Sequence, residues 1–212
     1  MRIVLISGFL GSGKTTLLIQ MADYLLNRFA APEIAKEAVG KKLAIIENEI
    51  GSINLDSKLL KGQDLAMREM LSGCICCSLR DNLALEIHEL AKTTNPEWLV
   101  IEATGLASAK EVAEGIRHSL DKIYTSISSL VVVDVNRLPY LLDRTKAMVA
   151  RQLEKVDVLI LNKIDLVSEQ EKVEACSALK KLCPQVRIIE VSAENGVADD
   201  VWERIFAALE RR

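Results

Sequence analysis

Near the N-terminus the run Gly8-Phe9-Leu10-Gly11-Ser12-Gly13-Lys14-Thr15 has the spacing G-x-x-x-x-G-K-[ST]. Glycines at these positions let backbone N–H groups wrap around phosphate oxygens without a Cβ in the way. Lys14 supplies a cation for the β- and γ-phosphates, and the Thr15 hydroxyl is placed for Mg²⁺. A helix that opens directly after the loop adds the positive end of its dipole.

Two further stretches fit the same chemistry. Trp98-Leu99-Val100-Ile101 is an apolar strand that ends in Glu102, with Gly105 three positions on. An acid at such a strand end holds Mg²⁺ directly or through water, and the glycine lets backbone approach the γ-phosphate. Asn162-Lys163-Ile164-Asp165 follows another apolar run. An Asp carboxylate there can accept from both N1–H and the 2-amino group of guanine, a donor pair that adenine lacks. Lys163 would lay its stem along the base plane while Asn162 braces the loop. Ser192-Ala193, after the last apolar run, suits a loop closing over guanine O6. Asp134 also ends a strand candidate, where a functional role and a capping role are both open.

Cys74-Ile75-Cys76-Cys77 sets three thiols within four positions. Thiolates suit Zn²⁺ and other soft or borderline ions, and three ligands leave a tetrahedral site open. Small core residues and redox thiols are the competing readings. Glu47-Asn48-Glu49-Ile50-Gly51 lies between the phosphate loop and these thiols, and it is the candidate switch, a loop that senses the γ-phosphate and carries a carboxylate toward the metal. A solvated charged loop is the alternative. His88 and His118 fall in helical stretches as structural residues, with His118 a candidate for the missing fourth ligand. Cys176 and Cys183 read as core or interface residues.

The elements that must position these groups follow from hydrophobic patterning. Strand candidates lie at 3–6, 43–46, 98–101, 130–133, 156–161 and 187–191, nearly all continuous Val, Ile and Leu. Such runs mark strands buried on both faces. Helical stretches alternate with them at 14–29, 81–93, 107–120, 138–153, 169–182 and 197–210. This order predicts an α/β P-loop NTPase fold, an open and mostly parallel sheet with helices on both faces. The least regular stretch is 48–78. At 212 residues the chain reads as one domain, 1–212, with a full core. A net charge of −3 and 4% aromatics argue against a nucleic-acid partner. No apolar run reaches membrane-spanning length, the N-terminus reads as a strand and not a signal peptide, and the odd cysteine count suits a cytoplasmic protein.

Taken in order, Gly-Phe-Leu-Gly-Ser-Gly-Lys-Thr-Thr, Glu-Asn-Glu-Ile-Gly, Gly-Cys-Ile-Cys-Cys-Ser-Leu, Glu-Ala-Thr-Gly-Leu-Ala and Asn-Lys-Ile-Asp resemble the CobW-like metal-associated GTPases, relatives of the hydrogenase and urease accessory GTPases. The resemblance runs from residue 3 to about residue 192. It implies a GTPase that binds a transition metal and helps deliver it, or its cofactor, to a client metalloprotein or cofactor-dependent enzyme. On this basis Lys14, Thr15, Glu102 and Glu49 form the catalytic set. GTP or GDP would be held by Gly8, Gly11, Ser12, Gly13, Lys14, Thr15, Thr16, Gly105, Asn162, Lys163, Asp165, Ser192 and Ala193. The metal set is Cys74, Cys76, Cys77 and Glu49, with Thr15 on Mg²⁺; Zn²⁺ leads as the transition metal, and Co²⁺ and Ni²⁺ remain open. The sequence departs from the family in lacking the usual C-terminal domain and a His-rich stretch, and in having Ile50 where an aromatic residue is common. A homodimer and a regulatory GTPase that acts on a corrinoid- or metal-dependent enzyme without passing metal are further options.

Overall fold

Continuous Val, Ile and Leu runs can be buried only by covering both faces of a strand, and the chain does this with helices. The computed structural model describes residues 1–29, 43–47, 65–69, 78–103, 108–120 and 123–210. Seven strands pair, all parallel, in the order β3-β2-β4-β1-β5-β6-β7: β1 (Arg2–Gly8), β2 (Leu43–Glu47), β3 (Leu65–Glu69), β4 (Trp98–Glu102), β5 (Ser126–Asp134), β6 (Val158–Asn162) and β7 (Arg187–Glu190). The helices are α1 (Lys14–Phe29), α2 (Ser78–Thr93), α3 (Ala109–Ser119), α4 (Leu138–Gln152), α5 (Glu169–Leu182) and α6 (Asp199–Leu209). Among the described residues no helix is long and apolar enough to cross a membrane.

Alternation along the strands divides the core. Val4, Ile6, Leu43, Ile45, Val100, Leu130, Val132 and Ile160 face α1 and α6. Ile3, Leu5, Ala44, Ile46, Leu99 and Ile101 face α2 and α3, while Val131, Val133, Leu159 and Leu161 face α4 and α5. On the α1/α6 side the ring of Phe206 lies 5.6 Å from Tyr24 and 5.2 Å, edge-on, from Trp98. Trp202 stacks on Tyr24 at 5.8 Å. This aromatic group pins the last helix to the first, and so fixes the helix that follows the phosphate loop.

Beyond shifts of one to three residues at element ends, two elements differ from the expectation. The irregular stretch 48–78 contains an edge strand, β3, so the sheet has seven strands and not six. Its Leu-Ala-Met-Arg-Glu sequence is rich in helix formers and carries no β-branched residue, so only pairing with β2 makes it extended. β5 begins four residues before the apolar run because its polar entry is satisfied internally. The buried Ser128 hydroxyl donates to the Leu209 carbonyl at 2.8 Å, and the Ser129 amide donates to Asp157 Oδ2 at 2.8 Å.

Phe206→Ala should lower unfolding free energy by about 3–5 kcal/mol in urea titrations. Tyr140→Ala, at a residue that is 64% exposed, should change it by less than about 0.5 kcal/mol.

Candidate functional site

Every described residue of the expected nucleotide set lies at the carboxyl edge of the sheet, which is where an all-parallel sheet binds ligands. β1 ends at Gly8, the loop 9–13 crosses the edge, and α1 starts at Lys14. Glycine is required at two points. Gly8 has φ +140° and a Cβ there would lie 2.2 Å from the Val132 carbonyl oxygen. Gly13 has φ +95° and a Cβ would lie 2.3 Å from Asn162 Nδ2. Only a residue without a side chain admits both the backbone conformation and the close approach.

The outer side of the loop is held by side chains from two other elements. The carbonyls of three consecutive residues are each taken: Leu10 by Arg137 Nη1 at 3.1 Å, Gly11 by Lys163 Nζ at 2.7 Å, and Ser12 by Asn162 Nδ2 at 2.8 Å. The Ser12 amide donates to the Phe9 carbonyl at 3.1 Å; with the carbonyls of 10–12 taken by side chains, the remaining loop amides are left for an anion. Lys14, only 4% exposed, arches back so that Nζ donates to the Phe9 carbonyl at 3.2 Å. The Ser12 hydroxyl is buried and without a hydrogen-bond partner among the described residues. A buried, unsatisfied hydroxyl inside a glycine cradle fits a phosphate ligand.

Beside the loop, Thr15 Oγ1 donates to Glu102 Oε1 at 3.0 Å, and Glu102 is 97% buried at the end of β4. Hydroxyl and carboxylate oxygens are hard donors, and their number and position suit Mg²⁺ with its other sites left to phosphate and water. Glu47, at the end of β2, is the register partner of Glu102. Thr16 is half-buried in the first turn of α1, next to Thr15.

On the other side of the loop, Asn162 serves two segments at once. Its Nδ2 holds the Ser12 carbonyl, and its Oδ1 accepts from the Ala193 amide at 2.9 Å. The loop-bracing role expected for Asn162 is therefore literal. Lys163 sits in the left-handed region (φ 65°), which turns the chain so that Nζ reaches both Gly11 and Asp134 Oδ2, the latter at 2.8 Å. Asp165 follows in a short 3-10 turn, exposed and with no hydrogen-bond or ion-pair partner among the described residues. Ser192 is held through its hydroxyl by Asn195 Nδ2 at 2.9 Å. The Ala193 amide is committed to Asn162, so an O6 contact from this turn must come from another donor.

Asp134 is more than a cap. It does accept from the Asn136 amide at 3.0 Å and the Arg137 amide at 3.3 Å, shaping the turn into α4. Its second oxygen pairs with Lys163, so one buried carboxylate orients both cations that hold the phosphate loop. Sequence reasoning missed Arg137 and Gln20. Arg137 has a weak signal, three residues after a strand-end Asp. Gln20, which bonds the 193–197 turn from α1, has none.

Glu49, Cys74, Cys76, Cys77 and Gly105 lie outside the described residues. Among the described residues no group of three or more His, Cys, Asp or Glu side chains could hold a metal. His88 is half-buried on α2 and His118 exposed on α3. Burial pushes the Cys176 thiol up, and the neighbouring Glu190 carboxylate adds to this, so Cys176 is protonated at neutral pH. Asn162→Ala removes two buried hydrogen bonds and strands the Ala193 amide. It should cost about 1–3 kcal/mol in chemical denaturation.

The comparisons agree with this geometry. The chain is 32% identical over 222 residues to the zinc-regulated GTPase metalloprotein activator 1 of Dictyostelium discoideum, covering 87% of this chain and 44% of that protein. It is 27% identical to the zinc chaperone YeiR of Escherichia coli, covering 79% and 48%. The chain thus spans about half the length of these curated relatives. Among solved structures, the hydrogenase maturation factor HypB from Archaeoglobus fulgidus shares the fold at a TM-score of 0.64 and 20% identity, covering 98% of this chain and 89% of that one. Residues 2–190 match the family model described as CobW/HypB/UreG, nucleotide-binding domain, and the chain belongs to that family.

Proposed function

We propose that this domain binds and hydrolyses GTP and couples its nucleotide state to a transition metal held by Cys74, Cys76 and Cys77. The observation that carries the nucleotide half is the double bridge of Asn162, which ties the phosphate loop to the 192–195 turn, with Lys163 beside it bonded to Gly11. In this reading Asp165, exposed and unpaired among the described residues, accepts from guanine N1–H and the 2-amino group, and the Lys163 stem covers the base. Lys14 and the loop amides stabilise charge on the β- and γ-phosphates, with Gly105 approaching the γ-phosphate. Thr15 and Glu102 hold Mg²⁺, which supplies charge neutralisation when bound. Water attacks the γ-phosphorus, the bond to the β–γ bridging oxygen breaks, and GDP and phosphate leave.

The metal half rests on the thiol motif and on the names of the relatives, a zinc-regulated GTPase metalloprotein activator and a zinc chaperone. Zn²⁺ is the cargo in this reading, with Co²⁺ and Ni²⁺ as competitors that thiolates also accept. In this reading residues 47–51 are the switch that would respond to GTP, with Glu49 a further ligand to the metal, and hydrolysis would let a client protein take the ion. The 32% identical relative is called an activator, which keeps a second reading open: nucleotide-dependent work on a partner enzyme with no metal passed. The GTPase domain is proposed to be cytoplasmic and to assemble as a homodimer.

Lys14→Ala should lower GTP hydrolysis by about 100-fold or more, read as phosphate release. Asp165→Asn should weaken GTP binding by about 10–100-fold and improve XTP, whose 2-oxo group accepts where guanine donates. Zn²⁺ titrations under reducing conditions, with GDP and with a non-hydrolysable GTP analogue, should give affinities that differ by about 5–150-fold. Equal affinities would sink the coupling, and Zn²⁺ binding that survives replacement of all three thiols by Ser would sink the site. Capture of a client without transfer of metal favours the activator reading.

A further inference from the structure

Gln20 stands on α1, six residues after Lys14, and spends both ends of its carboxamide on one turn. Its Nε2 donates to the Ala193 carbonyl, and its Oε1 accepts from the Val197 amide at 3.0 Å. Asn162 holds the same turn from the opposite side through the Ala193 amide. Ala193 is therefore gripped at both backbone polar groups by side chains from two different elements. The turn is not packed at Gly196 (φ +88°), where a Cβ would meet open space. Without Gln20 the turn would keep the Asn162 bond and the apolar packing of Ala193 and Val197 but lose its described side-chain hydrogen bonds to α1.

We infer that Gln20 is a positioning residue for nucleobase selection, setting how closely the 192–197 turn meets the C6 edge of guanine. The inference rests on the guanine reading above. The amide is suited to the task because it presents a donor and an acceptor side by side without a charge or a titration near neutral pH. Glu at this position keeps the acceptor for Val197 but sets a carboxylate against the Ala193 carbonyl. Met fills similar volume and makes neither bond. Asn162 would not isolate the effect, since it also holds the phosphate loop, whereas Gln20 touches the turn alone. Loss of Gln20 therefore acts on the C6 edge and leaves the Asp165 contacts and the phosphate loop in place.

The test compares three diphosphates by equilibrium binding to the full chain with Mg²⁺: GDP, 6-thio-GDP, whose sulfur is a poor acceptor at C6, and IDP, which lacks the 2-amino group. Wild type should prefer GDP to both. Gln20→Met and Gln20→Glu should weaken GDP about tenfold and bring the GDP to 6-thio-GDP preference toward one. The GDP to IDP preference, which reports Asp165, should stay within about twofold. If the 6-thio-GDP preference is unchanged, or if both preferences fall together, the inference is overturned. In the second case Gln20 merely holds the fold. Wild type that binds ADP as tightly as GDP overturns the guanine reading itself, and this inference with it. Circular dichroism melting shows that the variants are folded, and Gln20→Glu, which retains one bond, serves should Gln20→Met fail to fold.

Discussion

The carboxamide of Asn162 is the joint of this domain. It is 98% buried at the end of β6, and it binds the Ser12 carbonyl on one side and the Ala193 amide on the other. A buried amide that meets both demands contributes rigidity out of proportion to its size, because in a low-dielectric interior an unmade bond is costly. The demand extends to its neighbours. Gly13 must be glycine partly because Asn162 occupies the space where a Cβ would stand. One side chain thus dictates the shape of the phosphate loop and the position of the base-side turn together.

Around that joint the loop is shaped from outside. Arg137, Lys163 and Asn162 each take one carbonyl from 10–12, and Asp134 orients the first two. A carbonyl drawn outward turns its peptide so that successive amides gather inward, which is how backbone alone builds an anion site. The Lys163–Asp134 pair is half-sheltered, and its stability follows less from the charge attraction than from the hydrogen bonds that satisfy both groups. The result is a prebuilt receptor in which phosphate side and base side form one body. Binding energy then need not be spent on ordering them.

Much of this was legible in the residues. The glycine spacing, the strand-end Glu102 and the Asn-Lys-Ile-Asp run are local patterns, and each dictates the conformation of its own few residues. The helices 14–29 and 169–182 were read to the residue, since capping and periodicity are also local; Ser168 and Glu171 cap α5 reciprocally. β3 was not legible, because Leu65–Glu69 has no intrinsic strand preference and becomes extended only through its neighbour β2. The early start of β5 was hidden for a related reason. Its serines look like loop residues until α6 and Asp157 supply their partners.

The sequence by itself determined six of the seven strands and the six α-helices in their order, the phosphate loop, and the Asn-Lys-Ile-Asp run proposed to read a guanine base. The tertiary structure alone decided how these are joined. Asp134 could have been a simple cap, Arg137 an ordinary surface cation and Gln20 a helix residue with no task. Their roles arise from contacts between residues 29, 127, 173 and 177 positions apart, and from the 150-residue separation between Asn162 and Ser12. Hydrophobic periodicity and turn chemistry act over a few residues, whereas these bonds exist only once a parallel sheet has brought the ends of β1, β5, β6 and β7 to one edge.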